Sequence, residues 1–258
     1  VERAIGPIER AGGGPAIVVV HGFTGTPWEI EALVDRLAQD GHAVRAPLLP
    51  GHGSTPQALG RARWDEWLAH VEGTVDEALA SHGSAVVLGF SLGSLLALVA
   101  GAARQHRGVI AVGALGTALE LTPLEARVLA VSEGLGRLLP DVRVPKFRGS
   151  DVRDPRSKRD NPAYATQPLR AAREILRGQR AAREVLGSLT IPVLVVHGRA
   201  DETTPLSASL SLAEAATRAD VELRILPRSG HLLGRDVEAL EVCDAVGAFV
   251  RRVSAGRR

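Results

Sequence analysis

Short β-branched runs alternate with stretches of helical periodicity along this chain. The alternation halts after residue 116 and resumes near residue 189. Ala16–Val20 (AIVVV) reads as a buried strand. Trp28–Gln39 follows with Ile30, Leu33, Val34 and Leu37 at helical spacing. Its start is marked by Thr26 as N-cap, Pro27 at the first helical position and Glu29 at the capping-box position. A strand near Ala43–Ala46 leads into the turn-rich stretch 47–56. Trp64–Leu79 then has helical spacing, Ala85–Leu88 reads as a strand, Leu92–Arg104 as a helix and Val109–Leu115 as a strand. Beyond the interruption come a strand at Ile191–Val196, a helix at Leu206–Thr217, a strand at Val221–Leu226 and a helix at Val237–Val253. The segment 117–188 holds helical stretches and no buried strand. Strand–helix alternation on both sides of a helical insert predicts an α/β fold: a mostly parallel central sheet flanked by helices, with one insertion. A chain of 258 residues buries about three quarters of its unfolded surface, enough for one large domain.

Parallel sheets carry functional groups on loops at the carboxyl ends of their strands, so those loops are the places to search. The first is Gly89-Phe90-Ser91-Leu92-Gly93, between the apolar strand AVVL and the apolar helix SLLALVAGAA. Gly-x-Ser-x-Gly alone is a weak signal. A sharp strand-to-helix turn, however, needs small residues on both flanks and leaves the serine Oγ exposed over the sheet. The helix that starts there offers free N–H groups to a developing negative charge. The second loop is His21-Gly22-Phe23-Thr24-Gly25. The N–H of Phe23 is the natural second oxyanion donor beside that of Leu92. His21 itself reads as a buried histidine bonded to backbone. The third place is a pair of late loops, His197-Gly198-Arg199-Ala200-Asp201 and Ser229-Gly230-His231. A serine nucleophile needs a base, and the base needs a carboxylate to hold its tautomer. The order Ser91, Asp201, His231 is the one this kind of sheet uses. Glu202 is the competing acid, and Asp236 is a less favoured candidate that reads better as the N-cap of the last helix.

At this point the sequence resembles the α/β-hydrolase superfamily, and within it the bacterial carboxylesterase and monoacylglycerol lipase-like group. The matching pieces are HGFTGTP, PLLPGHG, the DEW of the following helix, GFSLGS, HGRADETTP and SGH, in register from His21 to His231. The resemblance implies catalytic roles for Ser91, Asp201 and His231 and an oxyanion hole at the N–H groups of Phe23 and Leu92. It implies a core of residues 1–116 and 189–258, with 117–188 as an inserted cap. It further implies a serine hydrolase of carboxylic esters, of short to medium acyl chain, working through an acyl-enzyme on Ser91. Thioesterase, amidase, C–C hydrolase and acyltransferase chemistry use the same triad, and a non-catalytic ligand-binding module shares the fold. The loop Pro50-Gly51-His52-Gly53 matches one that is structural in relatives. Two departures stand out: Ser94 where many relatives have Gly, and Leu92 where many have Met.

Composition narrows the partners. Net charge is only +2, which argues against nucleic acid. There is one cysteine, Cys243, so neither an intrachain disulfide nor a Cys-based zinc site is expected. Cys243 reads as a small core residue. No His-Glu-x-x-His occurs, and no metal or cofactor is expected. The longest apolar stretch, Leu95–Ala103, is too short to span a bilayer, and 1–16 lacks an apolar signal region. The expected partner is therefore a small-molecule ester, lipid-derived esters included. The expected setting is a cytoplasmic monomer or weak dimer, with secretion left open by the missing initiator Met. The charge is unevenly placed: Arg137–Glu184 carries a local +7 and the rest of the chain −5. The first half of the insertion is apolar, through Leu119, Leu121, Leu124, Val128, Leu129, Val131, Leu135, Leu138 and Leu139. Its second half is arginine-rich, and Phe147 and Tyr164 are its only aromatics.

Overall fold

The computed structural model describes residues 5–123, 126–129, 131, 142–146 and 149–256. Seven strands form one sheet: β1 (Ile8–Arg10), β2 (Gly13–Val20), β3 (His42–Ala46), β4 (Ala85–Phe90), β5 (Val109–Leu115), β8 (Val193–Gly198) and β9 (Val221–Leu226). Their order is β1-β3-β2-β4-β5-β8-β9, and every pairing except β1–β3 is parallel. The central strands β4, β5 and β8 are buried along their whole length, which explains why they read as unbroken apolar runs rather than alternating ones.

Helices cover both faces of the sheet. One apolar cluster joins α3 (Trp64–His82) and α4 (Leu92–Arg104) to one face. The other joins α1 (Glu31–Gln39) and α8 (Ala239–Ala255), through Leu33, Leu37, Val246 and Phe249, to the opposite face. Cys243 is buried in that second cluster. The helix α7 (Leu206–Ala215) lies between β8 and β9 in the chain. No helix among the described residues is long and apolar enough to cross a membrane.

Several local expectations are corrected. The segment expected as one helix from Trp28 is a short 3-10 turn, Pro27–Ile30, followed by α1. Thr26 caps it as expected, with its side chain accepting from the N–H of Trp28. Glu29, at the expected capping-box position, is buried, and its Oε2 accepts from the N–H of Gly22. The stretch after Pro47 ends in a helix, α2 (Pro56–Arg61), capped by Thr55. Asp236 does not cap the last helix, whose N-cap position is Glu238.

Among its described residues the insertion adds no strand to the main sheet. Within it, β6 (Arg143–Pro145) and β7 (Thr166–Pro168) pair with each other, and α5 (Pro155–Asp160) and α6 (Leu169–Leu186) are helical. Leu119 and Leu129 are buried, Leu121 is half-buried, and Val128 and Val131 are exposed. Leu124, Leu135, Leu138, Leu139 and Phe147 lie outside the described residues.

Candidate active site

The turn from β4 into α4 sets the position of Ser91. Its backbone is forced to φ 54°, ψ −116°, left-handed in φ and strained for a residue with a Cβ. Two glycines make the turn possible. A Cβ on Gly89 would lie 2.0 Å from the carbonyl oxygen of Gly93, and one on Gly93 would lie 2.3 Å from that of Val20. The start of α4 is thereby pressed against the carboxyl end of β2, where Val20 pairs with Gly89. This contact brings Leu92 beside the loop that carries Phe23. Among the described residues neither the N–H of Phe23 nor that of Leu92 takes part in a hydrogen bond.

The loop 21–25 is held from several sides. His21 is fully buried, with Nδ1 2.9 Å from the carbonyl of Gly22 and Nε2 accepting from the N–H of Leu49, as expected of a structural histidine. Glu29 Oε2 accepts from the N–H of Gly22 at 2.9 Å. Thr24 sits at φ 63°, an outlier for a β-branched residue, with contacts from the insertion on both of its polar oxygens. The Lys146 ammonium donates to its hydroxyl, and the N–H of Tyr164 donates to its carbonyl. Below Phe23, His52 packs with His21 and Trp67 in an aromatic cluster, and burial pulls its pKa down to about 4.

The two late loops come together at the other side of Ser91. His231 Nε2 lies 2.9 Å from Ser91 Oγ, and its Nδ1 lies 2.8 Å from Asp201 Oδ2. A carboxylate can only accept, so Nδ1 carries the proton and Nε2 of the neutral ring is free to accept from the serine hydroxyl. Asp201 is buried and also accepts from the N–H groups of Thr203 and Thr204 and from the Thr204 hydroxyl. Glu202, the competing acid, is exposed and pairs with Arg153. The structure thus brings Ser91, Asp201 and His231 together, with Leu92 following Ser91 directly.

Burial and charge act against each other here. Burial raises the pKa of Asp201, but the charge and hydrogen bond of His231 outweigh it and hold the carboxyl at about 2. Burial likewise disfavours the His231 imidazolium, yet the charge and hydrogen bond of Asp201, helped by Asp151 and Glu29, shift it above 6.5 overall. Glu29 is pushed the other way: burial raises it to about 7, against the pull of the Gly22 N–H and of Lys146. Burial draws Lys146 down to about 8.

Sequence reasoning passed over several residues that build this site. Asp236 accepts from the N–H groups of Arg153, Asp154 and Val237 through Oδ1 and from that of Gly230 through Oδ2. Asp151 binds the N–H of Glu202 and the hydroxyl of Thr203 through its side chain, and the N–H of Leu232 through its carbonyl. Ser94, the departure from Gly, has Oγ 2.6 Å from the Ser91 carbonyl and 2.8 Å from Thr117 Oγ1, so it ties the nucleophile turn to the start of the insertion. Asp236 reads from sequence as a helix N-cap, since its partners Arg153 and Asp154 lie far away in the chain. Among the described residues no group of three or more His, Cys, Asp or Glu is placed to hold a metal ion.

The chain is similar to proteins of one family. Residues 14–238 match the family model described as serine aminopeptidase, S33. The chain is 25% identical over 232 residues to a thermostable monoacylglycerol lipase of Bacillus sp. (strain H-257), covering 90% of this chain and 88% of that one. It is 30% identical over 242 residues to a pimeloyl-[acyl-carrier protein] methyl ester esterase of Xylella fastidiosa (strain 9a5c), covering 87% and 91%. Among solved structures, one from work on LipS and LipT, two metagenome-derived lipolytic enzymes, superposes with a TM-score of 0.87 at 24% identity, covering 96% and 98%.

Proposed function

Since the chain belongs to the serine aminopeptidase S33 family of α/β-hydrolases, we propose that it cleaves carboxylic esters through an acyl-enzyme on Ser91. The observation that carries this reading is the line from Ser91 Oγ through His231 to Asp201, at 2.9 and 2.8 Å. Ser91 Oγ attacks the ester carbonyl while His231 Nε2 takes its proton. The tetrahedral oxyanion is received by the N–H groups of Phe23 and Leu92, which have no other partner among the described residues. His231 then gives the proton to the departing alkoxide, and the alcohol leaves. Water attacks the acyl-enzyme with His231 again as base, releasing the acid and restoring Ser91. Asp201, charged throughout, stabilises the imidazolium that forms twice in this cycle.

Esters are favoured over peptides by the relatives, whose names are those of lipases and esterases. We further assign residues 117–188 as a cap on a core of 1–116 and 189–258. Lys146 and Tyr164 on Thr24, and Asp151 on the Asp201 and His231 loops, support that division.

The direct test is covalent labelling by a fluorophosphonate probe. Wild-type protein labels, and Ser91→Ala does not; undiminished labelling of the variant refutes the assignment. A series of p-nitrophenyl esters of increasing chain length, set against acyl-CoA and amide substrates, then defines the acyl chain and leaving group.

A further inference from the structure

The arginine excess of the insertion is concentrated on one helix face. Arg170, Arg173, Arg177 and Arg180 recur along α6 at spacings of three and four, which places them in a stripe. Arg63, the residue before α3, meets this stripe from across a cleft. The five guanidiniums and Glu174 line a cavity of about 200 Å³.

The meeting is built by specific packing. Trp64 lies against Gly178, where a Cβ would come within 2.4 Å of the indole ring, so α3 and α6 approach as closely as a glycine allows. Glu174, buried under the stripe, accepts from the N–H of Trp64 and from Arg177 Nη1, which fixes both sides of the cleft.

Among the described residues, charge compensation is sparse here. On the body of the molecule Arg10 meets Asp35, Arg45 meets Glu77, Arg104 meets Asp76 and Glu72, Arg235 meets Glu31 and Arg252 meets Asp220 and Glu222. Of the five cleft arginines only Arg177 has an ion pair among the described residues, with Glu174. Arg173 Nε is shut off from solvent without a hydrogen-bond partner among them. Neighbours on one helix face lie well within a screening length of about 8 Å at physiological salt, so these charges repel one another. Five guanidinium forks set against a single carboxylate, Glu174, with one donor left unsatisfied, are suited to an anion with several oxygens.

We propose that this cleft is a binding site for a phosphate-bearing anion, held by Arg63, Arg170, Arg173, Arg177 and Arg180. The site stands apart from the ester reading, since it takes no part in the chemistry at Ser91. The phosphate is either that of a soluble polyanion or the headgroup of an anionic lipid, and both present the same oxygens to the arginines.

The test titrates the full chain with sodium pyrophosphate by calorimetry at fixed ionic strength. In parallel it measures sedimentation with phosphatidylcholine vesicles that contain phosphatidic acid. The Arg63→Gln/Arg173→Gln variant should bind about tenfold more weakly, as the loss of charge-assisted bonds implies. Arg173→Lys should also weaken binding, because it keeps the charge and loses the fork. An Arg218→Gln/Arg224→Gln variant, which removes the same charge elsewhere, should change binding by less than about twofold. Hydrolysis of p-nitrophenyl acetate at the wild-type rate shows that each variant is folded. An arginine-dependent response to pyrophosphate alone identifies a soluble ligand. The same response to vesicles identifies a headgroup. Equal weakening by the two double variants, or no binding of either probe by wild-type protein, overturns the proposal.

Discussion

At the scale of single residues, Glu29 is a buried carboxyl group beneath the loop that carries Phe23. Read from sequence as a capping acid, it is also folded so close under that loop that a Cβ on Gly25 would fall 2.1 Å from its carboxyl group. Burial raises its pKa from 4.5 to about 7. The unfolded chain ionises this carboxyl near 4.5, while the native state keeps the proton to about 7. The native state therefore binds more protons in that window, and stability falls as pH rises through it, by roughly 3 kcal/mol in total. Glu29→Gln removes the titration and keeps an oxygen for the Gly22 N–H. Its melting temperature relative to wild type should rise between pH 5 and pH 8. Glu29→Ala leaves that N–H buried and unpaired, at a cost of about 1–3 kcal/mol, and should lower the melting temperature at both pH values. Thermal melts of the three proteins at the two pH values decide it; a pH-independent difference for the Gln variant contradicts a buried, proton-holding Glu29.

At the scale of elements, the junction of β2, β4 and α4 depends on backbone meeting backbone. Gly93 faces the carbonyls of Val20 and His21, at 2.3 and 2.7 Å from where a Cβ would sit. Gly93→Ala must lift the first turn of α4 from the sheet and separate the N–H of Leu92 from that of Phe23. If these two N–H groups receive the oxyanion as proposed, losing one costs roughly a hundredfold or more in turnover, so kcat should drop by that order with KM far less affected. Steady-state kinetics on a short-chain ester measures it. The same junction shows what could be read from sequence. The long apolar strands and periodic helices declare themselves, since burial on both faces forbids any other pattern for β4, β5 and β8. The strand β1 does not: three residues with one buried side chain carry no period to read. The helix α2 is also too short to show one, although Thr55 and Pro56 mark its start.

At the scale of the whole molecule, the insertion and the body share the site. Ser91, Asp201 and His231 are legible in the sequence because strand ends in a parallel sheet converge by topology alone. Asp236, Asp151 and Lys146 are not, because their partners lie far away in the chain: Asp236 binds Arg153 across 83 positions, and Lys146 reaches Thr24 across 122. Asp236 offers both carboxyl oxygens to N–H groups, one from the His231 loop and others from the insertion. Asp236→Asn turns an amide NH₂ toward one set of these donors. It should destabilise the fold by about 1–3 kcal/mol and lower kcat through His231, whereas an exposed carboxylate such as Glu9 should tolerate the matching change. Chemical denaturation paired with ester kinetics tests both effects. Retention of full stability and rate shows that the two parts are not coupled through Asp236.

The separation of Ser91 from His231 by 140 positions has a consequence for the life of the chain. Ser91 lies before the insertion, and its hydrogen-bond partner His231 and that residue's partner Asp201 lie after it. A polypeptide still short of β9, or cut off before it, holds the serine and its strained turn but no base to activate it. On the proposed mechanism, hydrolysis therefore arises only once the chain has been made through His231, and a polypeptide that stops short of it would carry Ser91 without its base.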